Sequence, residues 1–302
     1  MKRSIPFYVL ILALAAGAVI LGIVSLRDGK THLQPGAGKL TVAATIYPLY
    51  DMARNVAGDG AAVEFVVPPG SSPHTFEFSP RQLQSLQNVK VVFAIGHGLD
   101  NWVTPVANVV KGARVIIVDQ GMDLRKFEDG TTDPHYWLDF GNARKITDNI
   151  AKGLIEIDPA HAELYHENAK AYKDKLAEKE RELKAVLAPA QGSSILTFHD
   201  GWFYFAQNFG LRVAGTFEPA AGEEPTPRYL AGLQRKIETD HIHIIFIEPQ
   251  LSTAILESFA KDNKVGIAQL DPLGGVEGRT TFLELMEFNA DSIRRALQER
   301  GP

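Results

Sequence analysis

Short apolar runs, each about four to six residues long, dictate what this chain can fold into. Leu40 to Thr45, Val63 to Val67, Lys90 to Ile95 and Arg114 to Val118 lie in the first half. Ser194 to Phe198, Arg212 to Gly215, Ile242 to Ile247 and Val265 to Leu270 lie in the second. Most are apolar on both faces and alternate with segments of helical pattern, among them Tyr47 to Val56, Pro80 to Asn88, Trp202 to Phe209, Pro227 to Glu238, Thr253 to Lys261 and Thr280 to Gln298. A strand with no solvent face belongs in a parallel sheet covered by helices on both sides. The fold class is therefore α/β, and a chain of 302 residues predicts two lobes, each burying its own core.

Between the halves, Asn142 to Ile157 and Ala160 to Leu187 read as helices, with Asp158-Pro159 restarting the pattern through an N-cap and a first-turn proline. The second would be roughly 40 Å long and carries Glu and Lys spaced for pairing on its exposed side. The division is then 40–141 for an N-terminal α/β lobe, 142–188 for connecting helices dominated by one long rigid helix, and 189–302 for a C-terminal α/β lobe.

Upstream, Lys2 and Arg3 precede an uncharged run from Ser4 to Leu26, long enough as a helix to cross a hydrocarbon core of about 30 Å. Residues 1–26 read as a signal peptide or an uncleaved membrane anchor, and 27–39 as a flexible tether. With the positive end inside, the rest is expected outside the cytoplasm.

The loops that leave the carboxyl ends of parallel strands form the ligand crevice of such folds. Those loops carry His74, His199 and Asp271, while His135 precedes the joining helices, so two candidates fall in each lobe and the site is expected in the cleft between them. Three imidazoles and one carboxylate suit a tetrahedral ion, and nitrogen donors favour zinc over calcium or magnesium. His97, after Ile95-Gly96, competes for the same role, and Glu77, Asp139 and Glu248 are placed to orient imidazoles or to serve as ordinary turn and helix-end carboxylates.

Composition removes other chemistries. The sequence has no cysteine, which excludes disulfides, thiolate metal sites, a cysteine nucleophile and a lipid-modified cysteine. A net charge of -5 without a basic stripe gives no grip on nucleic acid.

Pro68-Pro-Gly-Ser-Ser-Pro-His74-Thr-Phe-Glu-Phe-Ser-Pro80, Asp133-Pro-His-Tyr-Trp-Leu-Asp139, Thr197-Phe-His-Asp-Gly-Trp202, Phe246-Ile-Glu-Pro-Gln250 and Leu270-Asp-Pro-Leu273 together resemble the zinc and manganese solute-binding proteins of bacterial ABC importers. The resemblance runs from about Thr41 to the C-terminus. It implies two α/β lobes joined by one long helix, with the ion between them on His74, His135, His199 and Asp271. It also implies a monomeric receptor that hands its ion to a membrane permease. Manganese-type members typically have Glu where this chain has His199, so the resemblance implies zinc as cargo, with Mn2+ or Fe2+ as the alternative. Phe140 stands where proline is expected, the loop before His135 has no histidine, and no lipidation cysteine is present.

A rigid helix between lobes predicts little closure, with release by local movement of the loops bearing His199 or Asp271. Affinity is expected to fall as pH drops through about 6.5. Two readings from other classes compete. A zinc hydrolase would use Glu248 or Glu77 as base, but a fourth protein ligand closes the open position catalysis needs and no His-Glu-x-x-His segment is present. An adhesion or scaffolding protein would use the metal structurally.

Overall fold

The computed structural model describes residues 39–110, 112–219, 223–250 and 254–298. The apolar run 1–26 and the tether up to residue 38 lie outside the described residues, and among those described no helix is long and apolar enough to cross a membrane. Strands β1 (Leu40–Ala44), β2 (Ala61–Phe65), β3 (Val91–Ala94) and β4 (Arg114–Ile117) form one sheet in the order β2-β1-β3-β4. Strands β5 (Ser194–Thr197), β6 (Arg212–Thr216), β7 (Ile244–Ile247) and β8 (Gly266–Gln269) form a second in the order β6-β5-β7-β8. Every pairing is parallel, as the doubly apolar runs predict; Val42 is in register with Val63 on one side and Val91 on the other.

Local sequence fixes the helix ends. Helix α1 (Tyr47–Ala57) takes Pro48 in its first turn, and α2 (Pro80–Ser85) begins on a Ser79–Gln82 capping box. The short α3 (Val103–Val109) is not expected from the sequence: Pro105 and the valines obscure it, although proline in a first turn breaks no helical hydrogen bond. Helix α4 (Phe140–Ile157) starts two residues before the expected point, because Asp139 accepts a hydrogen bond from the Asn142 amide (2.7 Å) and caps it. Helix α5 (Ala162–Leu187) has 26 residues, about 39 Å at the usual rise. Its buried face is Tyr165, Ala169, Tyr172, Leu176, Leu183 and Leu187, a stripe at helical spacing that packs against its neighbours. Helices α6 (Phe203–Phe209), α7 (Pro227–Thr239), α8 (Ala254–Asp262) and α9 (Phe282–Gln298) complete the described elements.

The expectation of separate cores is corrected by the packing. One apolar cluster runs from Val42 and Phe93 in the first sheet, through Phe140 and Leu176, to Ile195, Phe205 and Phe246 in the second half. Smaller clusters back the other faces, one with Val92 and Val103 and one with Leu196, Ile245 and Phe259. The cause is that α1 packs on β1 and β2, α9 packs on β8, and α1, α4, α5 and α9 pack on one another, so one helical layer links the two sheets. A polar tie reinforces this: buried Asp51 of α1 accepts hydrogen bonds from Tyr172 of α5 and from the Phe282 amide at the start of α9, both 3.0 Å. An amide of a helix first turn has no partner within its own helix, so Asp51 supplies the missing acceptor and meets the positive end of the α9 dipole.

Candidate metal centre

In the second sheet the strand order reverses between β5 and β7, and the loops leaving these strands carry His199 and Glu248. His74 sits on a short 3-10 turn, Pro73–Thr75, after β2, and His135 precedes another, Tyr136–Leu138. Indole donors brace both turns: Trp102 Nε1 donates to Pro73 O (2.8 Å) and Trp137 Nε1 to Pro272 O (2.9 Å). Tyr136 Oη donates to Ile95 O at 2.8 Å, tying the His135 turn to the end of β3.

These elements bring three of the four expected side chains together. Each of His74, His135 and His199 offers one ring nitrogen, and the three lie within 4.8 Å of one another. His135 Nε2 is 3.4 Å from His74 Nε2 and 3.2 Å from His199 Nε2. Tetrahedral bonds of about 2.0–2.1 Å to one zinc ion would space nitrogens by about 3.3 Å. The group lines a pocket of about 400 Å³ whose walls include Leu99, Trp137, Pro272 and Leu273. Gly201 is required at its edge, because a Cβ there would fall 2.6 Å from His199 Nε2 and 3.1 Å from His135 Cδ2.

Two carboxylates fix the ring tautomers. His135 Nδ1 donates to Asp133 Oδ1 at 2.9 Å, and His199 Nδ1 donates to Glu248 Oε1 at 2.6 Å, an oxygen that also accepts from Trp202 Nε1 at 2.9 Å. With the ring proton on Nδ1 in each case, both Nε2 atoms present lone pairs to the same point. Two lone pairs at 3.2 Å repel, and a cation or a proton between them removes the repulsion. Burial lowers the proton affinity of His199, but the charge and hydrogen bond of Glu248, followed by the charges of Glu218 and Asp200, more than reverse it and leave the pKa raised. Among the described residues no carboxylate holds His74 in this way: burial, then the neighbouring His135 and His199, hold its pKa down at about 3, so it stays a neutral donor.

A second layer, not foreseen from the sequence, couples the two histidine loops. Arg125 makes paired contacts to Asp200 (2.8 Å each) and reaches Asp133 Oδ2 at 3.1 Å. Its guanidinium lies over the rings of Phe203 (4.6 Å) and Phe127 (5.0 Å). Burial raises the Asp133 carboxyl, but its hydrogen bonds to His135 and the charges of His135 and Arg125 leave it net below the usual range, hence ionised.

The remaining candidates fall elsewhere. The Asp271 carboxylate is not in the histidine group; it is turned onto its own loop, where Oδ1 accepts from the Leu273 and Gly274 amides and from Gln250 Nε2, and Oδ2 faces Arg279 at 3.1 Å. His97 pairs with Asp119 at 2.8 Å outside the group. Glu77 is exposed, and Asp139 caps α4 rather than orienting a ring; of the carboxylates considered, Glu248 holds an imidazole. Asp133 was missed, although its place two residues before His135 is a usable signal: its oxygen also takes the His135 amide at 3.0 Å.

A family profile described as "Zinc-uptake complex component A periplasmic" matches residues 42–296. The manganese-binding lipoprotein MntA of Halalkalibacterium halodurans is 27% identical, covering 99% of each chain. The iron ABC transporter substrate-binding lipoprotein MtsA of Streptococcus pyogenes serotype M1 is 30% identical over 86% of this chain and 89% of its own. Among solved structures, a ZnuA deletion mutant with zinc bound superimposes with a TM-score of 0.78 at 27% identity, over 86% of this chain and 98% of that one. These relatives bind solutes for import and are not enzymes, which disposes of the hydrolase reading. The chain belongs to the zinc-uptake complex component A family and is a metal-binding receptor of an ABC importer.

Proposed function

We propose that this receptor carries zinc outside the cytoplasm and delivers it to an ABC permease, with His74, His135 and His199 as nitrogen ligands and Asp271 as the fourth. The observation that carries the reading is the convergence of Nε2 lone pairs enforced by Asp133 and Glu248. Three nitrogens suit zinc better than manganese, which prefers oxygen-rich sites. The relatives named for manganese and iron make the choice of ion the point to test. Competition between Zn2+ and Mn2+ for the full-length chain, followed with a chromophoric chelator, should give zinc an advantage of at least a hundredfold. Equal or stronger binding of Mn2+ would overturn the choice of zinc.

The same reading gives little room for hinge closure on loading. The shared apolar cluster and the Asp51 tie join the two halves, so discharge falls to the loops bearing His199 and Asp271. Crystal structures with and without zinc should differ in those loops, while a rigid-body rotation of tens of degrees would refute this mode of release.

A further inference from the structure

The loop after β8, whose Pro272 and Leu273 line the histidine pocket, carries both partners of an ion pair with a buried carboxylate and a part-exposed arginine. Asp271 is 1% exposed, and its backbone is held on both sides by Asn289, which accepts from the Asp271 amide (2.8 Å) and donates to its carbonyl (2.7 Å). Three donors occupy Oδ1: the amides of Leu273 (2.9 Å) and Gly274 (3.0 Å), and Gln250 Nε2 (3.0 Å). The other oxygen, Oδ2, faces Arg279 Nη1 at 3.1 Å. That contact is electrostatic rather than aligned, since Nη1 is buried and has no hydrogen-bond partner. The arginine is kept in place by its stack on Phe288, 4.3 Å from Cζ to the ring centroid, and by a turn that brings Arg279 back onto Asp271. Gly274 makes the turn possible: its φ is +68°, and a Cβ there would meet Arg279 O at 2.9 Å.

One oxygen of Asp271 is thus fixed, and the other is the exchangeable one. We propose that Arg279 is an internal competitor of the cargo: it neutralises Oδ2, and a divalent ion gains its fourth ligand by taking that oxygen from the guanidinium. This rests on the reading above, in which Asp271 joins the three histidines. Two cations next to one carboxylate oxygen repel strongly where water is scarce. A part-exposed guanidinium that loses its carboxylate, with Nη1 buried and no other hydrogen-bond partner for it, is left poorly compensated, which is a standing force toward release. Arg279 therefore weakens binding and speeds discharge, so a receptor without it holds the ion too tightly.

The test is a double-mutant cycle on the full-length chain, reading zinc affinity and the rate of zinc loss to an excess of chelator. Arg279→Met keeps the contact with Phe288 and removes the charge; it should bind zinc about tenfold more tightly, ~1.4 kcal/mol, and release it correspondingly more slowly. Arg279→Lys, which keeps a cation there, should gain less. In an Asp271→Asn background, Arg279→Met should have a clearly smaller effect on both quantities, since only the direct repulsion between the two cations remains. Weaker or unaltered binding by Arg279→Met, with zinc still bound and still lost on His199→Ala, overturns the competitor role and leaves the pair as a brace for the loop. Wild-type protein that binds no zinc overturns the underlying site as well. Thermal midpoints of the variants separate a misfolded protein from a folded one with altered affinity, and the Arg279→Lys variant still decides the question if Arg279→Met does not fold.

Discussion

At the point where the strand order reverses, the first sheet places Asp100 and the second places His199 and Glu248. The two sheets have the same order, so both offer a crevice there. In the first, Asp100 is fully buried and consumes the available donors: Thr45 Oγ1 at 2.6 Å, the Ile95 amide at 2.8 Å and the Gly96 amide at 2.7 Å. Burial pushes its pKa up, and these hydrogen bonds oppose the shift without cancelling it. In the second, Glu248 satisfies only the back of the His199 ring and leaves Nε2 facing the pocket. One crevice is sealed by its own polar groups and the other is left with an unmet lone pair. Binding chemistry follows from what a crevice leaves unsatisfied, and topology alone does not decide it.

The contrast can be broken most directly at the two switch-point residues. His199→Ala should lower zinc affinity at least a hundredfold, since it removes a ligand and strands Glu248; a variant that keeps wild-type affinity would contradict the proposed site. Glu248→Gln should cost about 10–100-fold, the usual effect of losing a ligand's orienting carboxylate, and it sharpens the pH argument. A raised His199 pKa means that protons begin to compete with zinc above about 6.5, the ordinary value, so affinity falls as pH drops and the fall starts early. His74, at about 3, adds no slope between pH 8 and 5. Titrating affinity over that range should show the onset move to lower pH in Glu248→Gln; an unmoved onset would mean that another group sets it. Gly201→Ala should weaken zinc binding about tenfold, because its Cβ would crowd His199 Nε2, and normal affinity would show that the loop yields easily. Smallest in binding should be Asp100→Ala: affinity within about threefold of wild type, but a stability loss of about 3 kcal/mol in denaturant titration from three stranded donors. Loss of zinc binding there would show the two crevices to be coupled.

Much of this was legible in the sequence for a physical reason. Fully buried strands have no polar face, so runs such as Val91 to Ala94 declare themselves, and a histidine directly after such a run, as His199 is, marks a candidate ligand. What was hidden depends on distance in space. Arg125 stands in a polar loop with nothing in its neighbourhood to say that it will bridge Asp133 and Asp200. Arg279 meets Asp271 only because glycines turn the chain back. The side-chain position of Asp271 was not readable either, since its choice between the histidines and its own loop is set by Gln250, two backbone amides and Arg279 together. The merging of the cores is not legible in the sequence because a helical stripe shows that a face is buried, without showing that the helices of the two halves pack into one layer.

That shared core also limits how the molecule can be taken apart. Because Phe140, Leu176, Phe205 and Phe282 belong to one cluster, cutting the chain at α5 would expose apolar surface on both fragments. Neither half is a portable cassette. Heating should melt the described part in a single calorimetric transition, with matching calorimetric and van't Hoff enthalpies. A change of cargo in a molecule built this way is open to the side chains and loops at the ends of strands, while the shared interior leaves little room for it.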